Sequence, residues 1–288
     1  MAEPCAACRI EWVPRVGSTN TELAMRARRP GFVPTLLVAD EQTAGRGRFG
    51  RRWESEPGAS LMFSLALPLA RPDWSGLSLA VGVALVESLK SFAGVDVSRV
   101  ADVGLKWPND LLLADRGAGG PVDGEMAARK LGGILVESIV SPGGGRVAII
   151  GVGLNVRPAS SNMAAGRSAC LSELLPSSAP PETVPVAGQW LASLAPAIAR
   201  AVKAFDADGF EAFVARYAAC DLLSGRTVVT WQGGVRQRAG VACGVDSLGG
   251  LLIDTPQGRL CVQGGEVSVR LDGDASVPAD PVLGETVR

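Results

Sequence analysis

The sequence predicts a chain of two domains, a larger one that mixes helices and strands and a small all-β one, and three observations carry that expectation. Its 288 residues exceed the roughly 100–200 expected of one domain. Up to about Cys220, apolar runs of strand length alternate with segments of helical pattern. Beyond Leu222 the chain turns to short β runs broken by glycine. With 47% apolar and 20% charged residues the composition is that of a globular protein.

Taken in order, residues 1–15 read as a leader. "STNTELAMRARR" (Ser18 to Arg29) opens on two candidate N-caps, with Glu22 three residues after Thr19, the signature of a capping box and a first helix. "TLLVAD" and "SLMFSLAL" read as buried strands on either side of a long connection. Trp74 to Phe92 is long enough for a core helix, its polar residues gathered at the ends. Short strands follow around "VGLKW", "KLGGILVES" and "VAIIGVGLNV"; between the first two, Ala114 to Arg129 reads as a mobile insertion. Val186 to Tyr217 is helical, and "RTVVTW", "AGVACGV", "GLLIDT" and "RLCVQGGEVSVRL" are β runs. The expected division is 16–220, 221–272 and a disordered tail from 273 to 288.

Several classes of chemistry are excluded. The chain has no histidine, so imidazole-based triads, HExxH zinc sites and histidine acid–base catalysis are impossible. Six cysteines in so long a chain read as thiols rather than a disulfide framework, and Cys5 and Cys8 have no second pair with which to bind zinc. No apolar run approaches the roughly 20 residues of a membrane span, and no basic segment and apolar h-region begin the chain. A cytoplasmic protein is expected.

Positive charge is concentrated. "GRGRFGRRW" (Gly45 to Trp53) holds four arginines and three glycines in a chain of net charge −1. A nucleic-acid contact, a solvated loop, or a loop closing over phosphates would each use such a stretch, and without an anion repulsion and glycine entropy would keep it mobile. It is neither a dinucleotide fingerprint, since no helix follows, nor a Walker A loop. Lysine is scarce, with only Lys90, Lys106, Lys130 and Lys203. Two of the four stand in motifs: "LKWPND" sets Lys106 and Asp110 on one corner shaped by Pro108, and "KLGGILVE" puts Lys130 before Gly132 and Gly133, where a ligand can approach the backbone. "GVGLN" ends a strand in Asn155, whose amide could read a base edge.

The ordered set "GSTN", "EQTAGRGRFGRRW", "LKWPND", "KLGGILVE" and "GVGLNV" closely resembles the biotin protein ligases, from about Val16 to Arg270. The resemblance implies an α+β fold: a class II synthetase-like catalytic domain with a mixed β-sheet and packed helices, then a small SH3-like β-barrel. It also implies an enzyme that forms biotinyl-5′-adenylate from biotin and ATP with Mg²⁺, then passes biotin to a lysine of a biotin carboxyl-carrier domain of an acyl-CoA carboxylase.

Position by position, the resemblance assigns Ser18, Thr19, Asn20 and Gln42 to the ureido ring, and Arg46, Gly47 and Arg48 to the loop that folds over biotin and the adenylate. It assigns Arg51 and Trp53 to the nucleotide, Trp53 against adenine, and Asn155 to the adenine edge. Lys106 is expected at the phosphate, Lys130 with Gly133 at the biotin carboxylate, and Asp110 at the metal; Glu266 and Arg270 would reach the nucleotide from the small domain. Such chemistry needs positioning and charge neutralisation rather than a histidine base.

Only 17 residues precede Ser18, too few for a helix-turn-helix, so no DNA binding is expected; monomer and homodimer both stay open. The competing readings are a lipoate or octanoate transfer enzyme of the same superfamily, whose motif contains a histidine, and a non-catalytic biotin or nucleotide sensor. An arginine-rich nucleic-acid binder would leave "KWPND" and "KLGG" unexplained.

Overall fold

The computed structural model describes residues 8–115, 128–159, 168–180, 183–233, 235–264 and 267–271. The Ala114 to Arg129 insertion therefore falls largely outside the described residues, as do Cys5, Glu266 and the tail from 273.

Seven strands build one mixed sheet: β1 (Arg9–Val16), β2 (Thr35–Gln42), β3 (Ser60–Leu69), β4 (Val103–Lys106), β5 (Asp110–Ala114), β6 (Ala128–Val140) and β7 (Arg146–Asn155), in the order β1-β2-β3-β7-β6-β5-β4. Only β1 and β2 run parallel. The expected leader is corrected here. Arg9–Val16 is an edge strand, and its alternation was obscured because Ile10 and Trp12 stay largely exposed while charged residues intervene.

Period-two alternation sorts the strands between two faces. Leu61, Phe63 and Leu65 of β3, with Ile150, Val152 and Leu154 of β7, face the main core under α2 (Leu77–Lys90) and α4 (Ala187–Asp208). The opposite register supports α1 (Thr19–Ala27), whose Leu23, Ala24 and Ala27 pack on Leu37, Ala66, Ile139, Val147 and Ile149. Ser18 caps α1, accepting from Thr21 N; the expected box does not form, because with Ser18 rather than Thr19 as the cap Glu22 falls one position past the box, and Glu22 pairs with Arg26 at 2.8 Å. Short helices α3 (Val97–Val100) and α5 (Val214–Ala218) lie on the other face, against α2, where Val100 and Tyr217 join the main core.

The second sheet is antiparallel, with β8 (Thr227–Gln232), β9 (Val235–Val245), β10 (Leu251–Thr255), β11 (Gly258–Val262) and β12 (Val267–Leu271) in the order β11-β10-β9-β8-β12. "RLCVQGGEVSVRL", read as one run, is therefore two strands, β11 and β12, on opposite edges of that sheet. Leu105 N donates to Cys220 O at 2.7 Å, Leu222 N to Leu105 O at 2.9 Å, and Trp107 Nε1 to Gly249 O at 2.9 Å. The small sheet thereby grips the end of β4. Cys8, Cys170, Cys220, Cys243 and Cys261 are free thiols, as expected, and burial pushes the Cys220 thiol up to about 12. Among the described residues no helix is long and apolar enough to cross a membrane.

Ile149 of β7 is fully buried beneath α1. Ile149→Ala should cost about 2–5 kcal/mol in urea unfolding with an unchanged slope; a loss well below 1 kcal/mol would contradict this packing.

Candidate functional site

Past the N-terminus of α1, the face that supports this helix continues as the floor of a cleft of about 400 Å³. The register that supplies Val147 and Ile149 supplies Gly151 and Gly153 there. Glycine is required at both. A Cβ at Gly151 would stand 2.2 Å from Asn20 Oδ1, and one at Gly153 would stand 2.6 Å from Trp53 Cε2.

One end of the cleft is neutral and polar. Ser18, Thr19 and Asn20 are buried there to within a few per cent. Thr19 N and Oγ1 both donate to Gln42 Oε1, at 2.7 and 3.1 Å. Ser64, fully buried on β3, places its hydroxyl 2.7 Å from Thr19 Oγ1 and 2.6 Å from Asn20 Oδ1. Such a group of matched donors and acceptors suits an uncharged polar ligand, since a buried charge there would lack a counter-ion.

The other end is cationic. β4 and β5 form a hairpin in which Lys106 lies across from Asp110, with Trp107, Pro108 and Asn109 at its tip. Lys130, from β6, reaches the same place and pairs with Asp110 at 2.6 Å. The corner expected from "LKWPND" and the lysine of "KLGG" thus meet.

Gly45 to Trp53 folds back on itself over this region. Arg46 bridges Arg52, Gly47 N donates to Arg51 O at 2.7 Å, and Trp53 N to Gly45 O at 2.9 Å. Phe49 takes a left-handed conformation at the tip, φ 58°. Arg48 Nη1 donates to Asn109 Oδ1 at 3.3 Å, tying the loop to the hairpin. Burial lowers the Arg48 pKa below its ordinary value, opposed by the charge of Asp110 and assisted by that of Arg51. The Trp53 indole lies over Gly153 and Gly133, 5.5 Å from Lys130 Nζ, and its buried Nε1 has no hydrogen-bond partner.

Of the residues expected at the site, Ser18, Thr19, Asn20, Gln42, Arg46, Gly47, Arg48, Arg51, Trp53, Lys106, Asp110, Lys130 and Gly133 all line the cleft. Asn155 is not among them. Its amide donates to Lys130 O at 3.1 Å and Ala169 O at 3.0 Å, which stitches the strand ends together. From the small sheet Val269 lines the cleft; of the expected pair, Glu266 lies outside the described residues, and of Arg270 only the backbone is described, paired with Val229. Sequence reading missed Asn109, Gly151 and Gly153, although two glycines one residue apart in an apolar strand mark a face with no room for side chains. It also missed Ser64, a lone hydroxyl in an apolar strand.

Residues 12–155 match the Biotin/lipoate A/B protein ligase family. The biotin--[acetyl-CoA-carboxylase] ligase of Mycobacterium tuberculosis is 31% identical over 262 residues, which is 90% of this chain and 88% of that protein. That of Paracoccus denitrificans is 31% identical over 268 residues, 88% of this chain and 97% of the relative. The structure of the biotin protein ligase from Aquifex aeolicus in complex with biotin and ATP superposes with a TM-score of 0.72 at 27% identity, over 92% of this chain and 99% of that one.

If Trp53 is seated on Gly153, Gly153→Ala should lift the indole. The emission difference between this variant and its Trp53→Phe counterpart should shift to the red, with a loss of about 1–3 kcal/mol from overpacking. A difference spectrum identical to that of the native protein and its own Trp53→Phe form would contradict the seating.

Proposed function

Because the chain belongs to the Biotin/lipoate A/B protein ligase family, we infer that it is an ATP-dependent ligase that joins biotin to a lysine of a biotin carboxyl-carrier domain. The observation that carries this is a neutral hydrogen-bonding pocket and a two-lysine corner in one cleft, under an arginine loop.

Biotin has the matching polarity along its length, an uncharged cyclic urea at one end and a carboxylate at the other. With the urea against Ser18, Thr19, Asn20 and Gln42, the carboxylate reaches toward Lys130. There it displaces Asp110 as the partner of Nζ, which releases the aspartate toward the phosphates. Lys106 and the loop arginines neutralise the triphosphate. The unpartnered Trp53 Nε1 offers a donor to the substrates, and its ring offers a stacking face to adenine.

In the first step a biotin carboxylate oxygen forms a bond to the α-phosphorus while the bond to the β-phosphate oxygen breaks, and pyrophosphate leaves. In the second, the acceptor amine attacks the acyl carbon of biotinyl-5′-AMP, AMP leaves with the former carboxylate oxygen, and the amine loses its proton. Holding the loop closed over the mixed anhydride keeps water out, and Arg48 is placed to do so through Asn109. Asp110 is the one carboxylate among the described residues lining the cleft. That suffices for a Mg²⁺ ion taking its other ligands from phosphate and water; the ion would supply additional neutralisation of phosphate charge. Dependence on ATP and a carboxylase partner supports a cytoplasmic location.

Three outcomes are expected. Pyrophosphate should be released from ATP and Mg²⁺ with biotin but not with lipoate, followed by a one-biotinyl mass increase of a carrier domain, and Lys130→Ala should lower release at least 100-fold while the fold melts normally; near-native turnover would remove Lys130 from the site. Arg48→Gly should let the adenylate escape, so that bystander proteins become biotinylated in a mixed reaction. Labelling confined to the carrier would show that Arg48 does not retain it.

A further inference from the structure

Two side chains that do not line the cleft set its polarity. Asn20 Nδ2 donates to Glu137 Oε2 at 2.8 Å and to Leu135 O at 3.3 Å. Both are acceptors, and together they take both protons of the amide. On the other side Oδ1 lies 2.6 Å from Ser64 Oγ and directly over Gly151. Only one orientation of the carboxamide satisfies these neighbours. The reversed one would turn Oδ1 onto a carbonyl and a carboxylate, neither of which can donate.

The consequence reaches the ligand. With its amine consumed, Asn20 offers the cleft a lone pair of Oδ1 and no proton. Gln42 is fixed in the opposite sense, because its Oε1 accepts from Thr19 N at 2.7 Å, and only its amine is left to give. The pocket therefore asks a ligand for an N–H at Asn20 and an acceptor at Gln42.

We propose that Glu137 and Ser64 are positioning residues that lock the Asn20 amide with its oxygen toward the cleft, and that they thereby select a ring bearing an N–H over isosteric rings that lack one. This rests on the reading of the cleft as a biotin site. A site built to pair a ligand N–H rejects the analogue without it far more strongly than an apolar pocket rejects a missing methylene, because the lone pair of the buried oxygen that Ser64 does not meet is left without a donor. A dithiolane, with no N–H, fails for the same reason.

The test compares KM for biotin with that for two cyclic carbamate analogues, each with one ureido N–H replaced by oxygen, in pyrophosphate release by the native protein, Glu137→Gln, Glu137→Asp and Ser64→Ala. The native protein should discriminate against one of the two by at least tenfold. Glu137→Gln, whose amide can donate to a reversed Asn20, should raise the biotin KM, reduce that discrimination at least fivefold, and change kcat and the ATP KM less than twofold. Glu137→Asp, again only an acceptor, should restore much of the discrimination. Ser64→Ala should weaken it without abolishing the melting transition, which gives a second line should the Glu137 variants fold poorly. Equal changes for biotin and both analogues in every folded variant would overturn the assignment. A native protein that releases no pyrophosphate with biotin would instead overturn the biotin reading on which it rests.

Discussion

The site depends on a sheet face from which side chains have been removed at two places. β7 presents Val147, Ile149, Gly151 and Gly153 in succession to the same side. The first two carry the weight of α1, and the next two clear the space into which its N-terminal residues and Trp53 project. A side chain at Gly151 would collide with Asn20, and one at Gly153 with the indole. The same constraint explains why the polar residues at the start of α1 tolerate burial: the helix end is lowered onto a floor without side chains, where Ser64, Gln42 and Glu137 satisfy them.

Charge follows geometry at the other end. Lys106, Asp110 and Lys130 come from three strands that are neighbours in the sheet, so their convergence is fixed by β-pairing and not by a flexible loop. The cover is supplied separately, by an arginine loop tied to the hairpin through Asn109 and otherwise held by its own backbone. Under the proposed function, cations fixed by the sheet meet the charge in place and the loop above them keeps water from the anhydride.

Much of this was legible in the sequence, and the limits have physical causes. The strands of the central sheet and the helix after it announced themselves as unbroken apolar runs, because both faces of that sheet are covered. β1 did not, since an edge strand with one open face carries exposed Ile10 and Trp12 among charges. β5 was hidden beside β4 because the turn of "KWPND" was visible but its return strand was short. For the site, residue types with unusual chemistry in unusual surroundings stood out: scarce lysines, clustered arginines, a serine-threonine-asparagine run at a helix start. Asn155 was assigned to the ligand on the strength of its motif, whereas its amide is occupied by two carbonyls. Ser64, Asn109 and Glu137 escaped because what marks each is its contact with another side chain of the site, Asn20 or Arg48, and such contact is a property of three-dimensional proximity.

The central claim is that the cleft holds a biotin carboxylate against the α-phosphate of ATP until oxygen and phosphorus are joined. Biotin labelled with ¹⁸O in both carboxylate oxygens, turned over with ATP and a carrier domain, tests it directly by mass analysis of the AMP released. One labelled oxygen in each AMP is the predicted result, because the carboxylate oxygen that attacks phosphorus departs with it. AMP without label, formed while the carrier is biotinylated, would contradict the account.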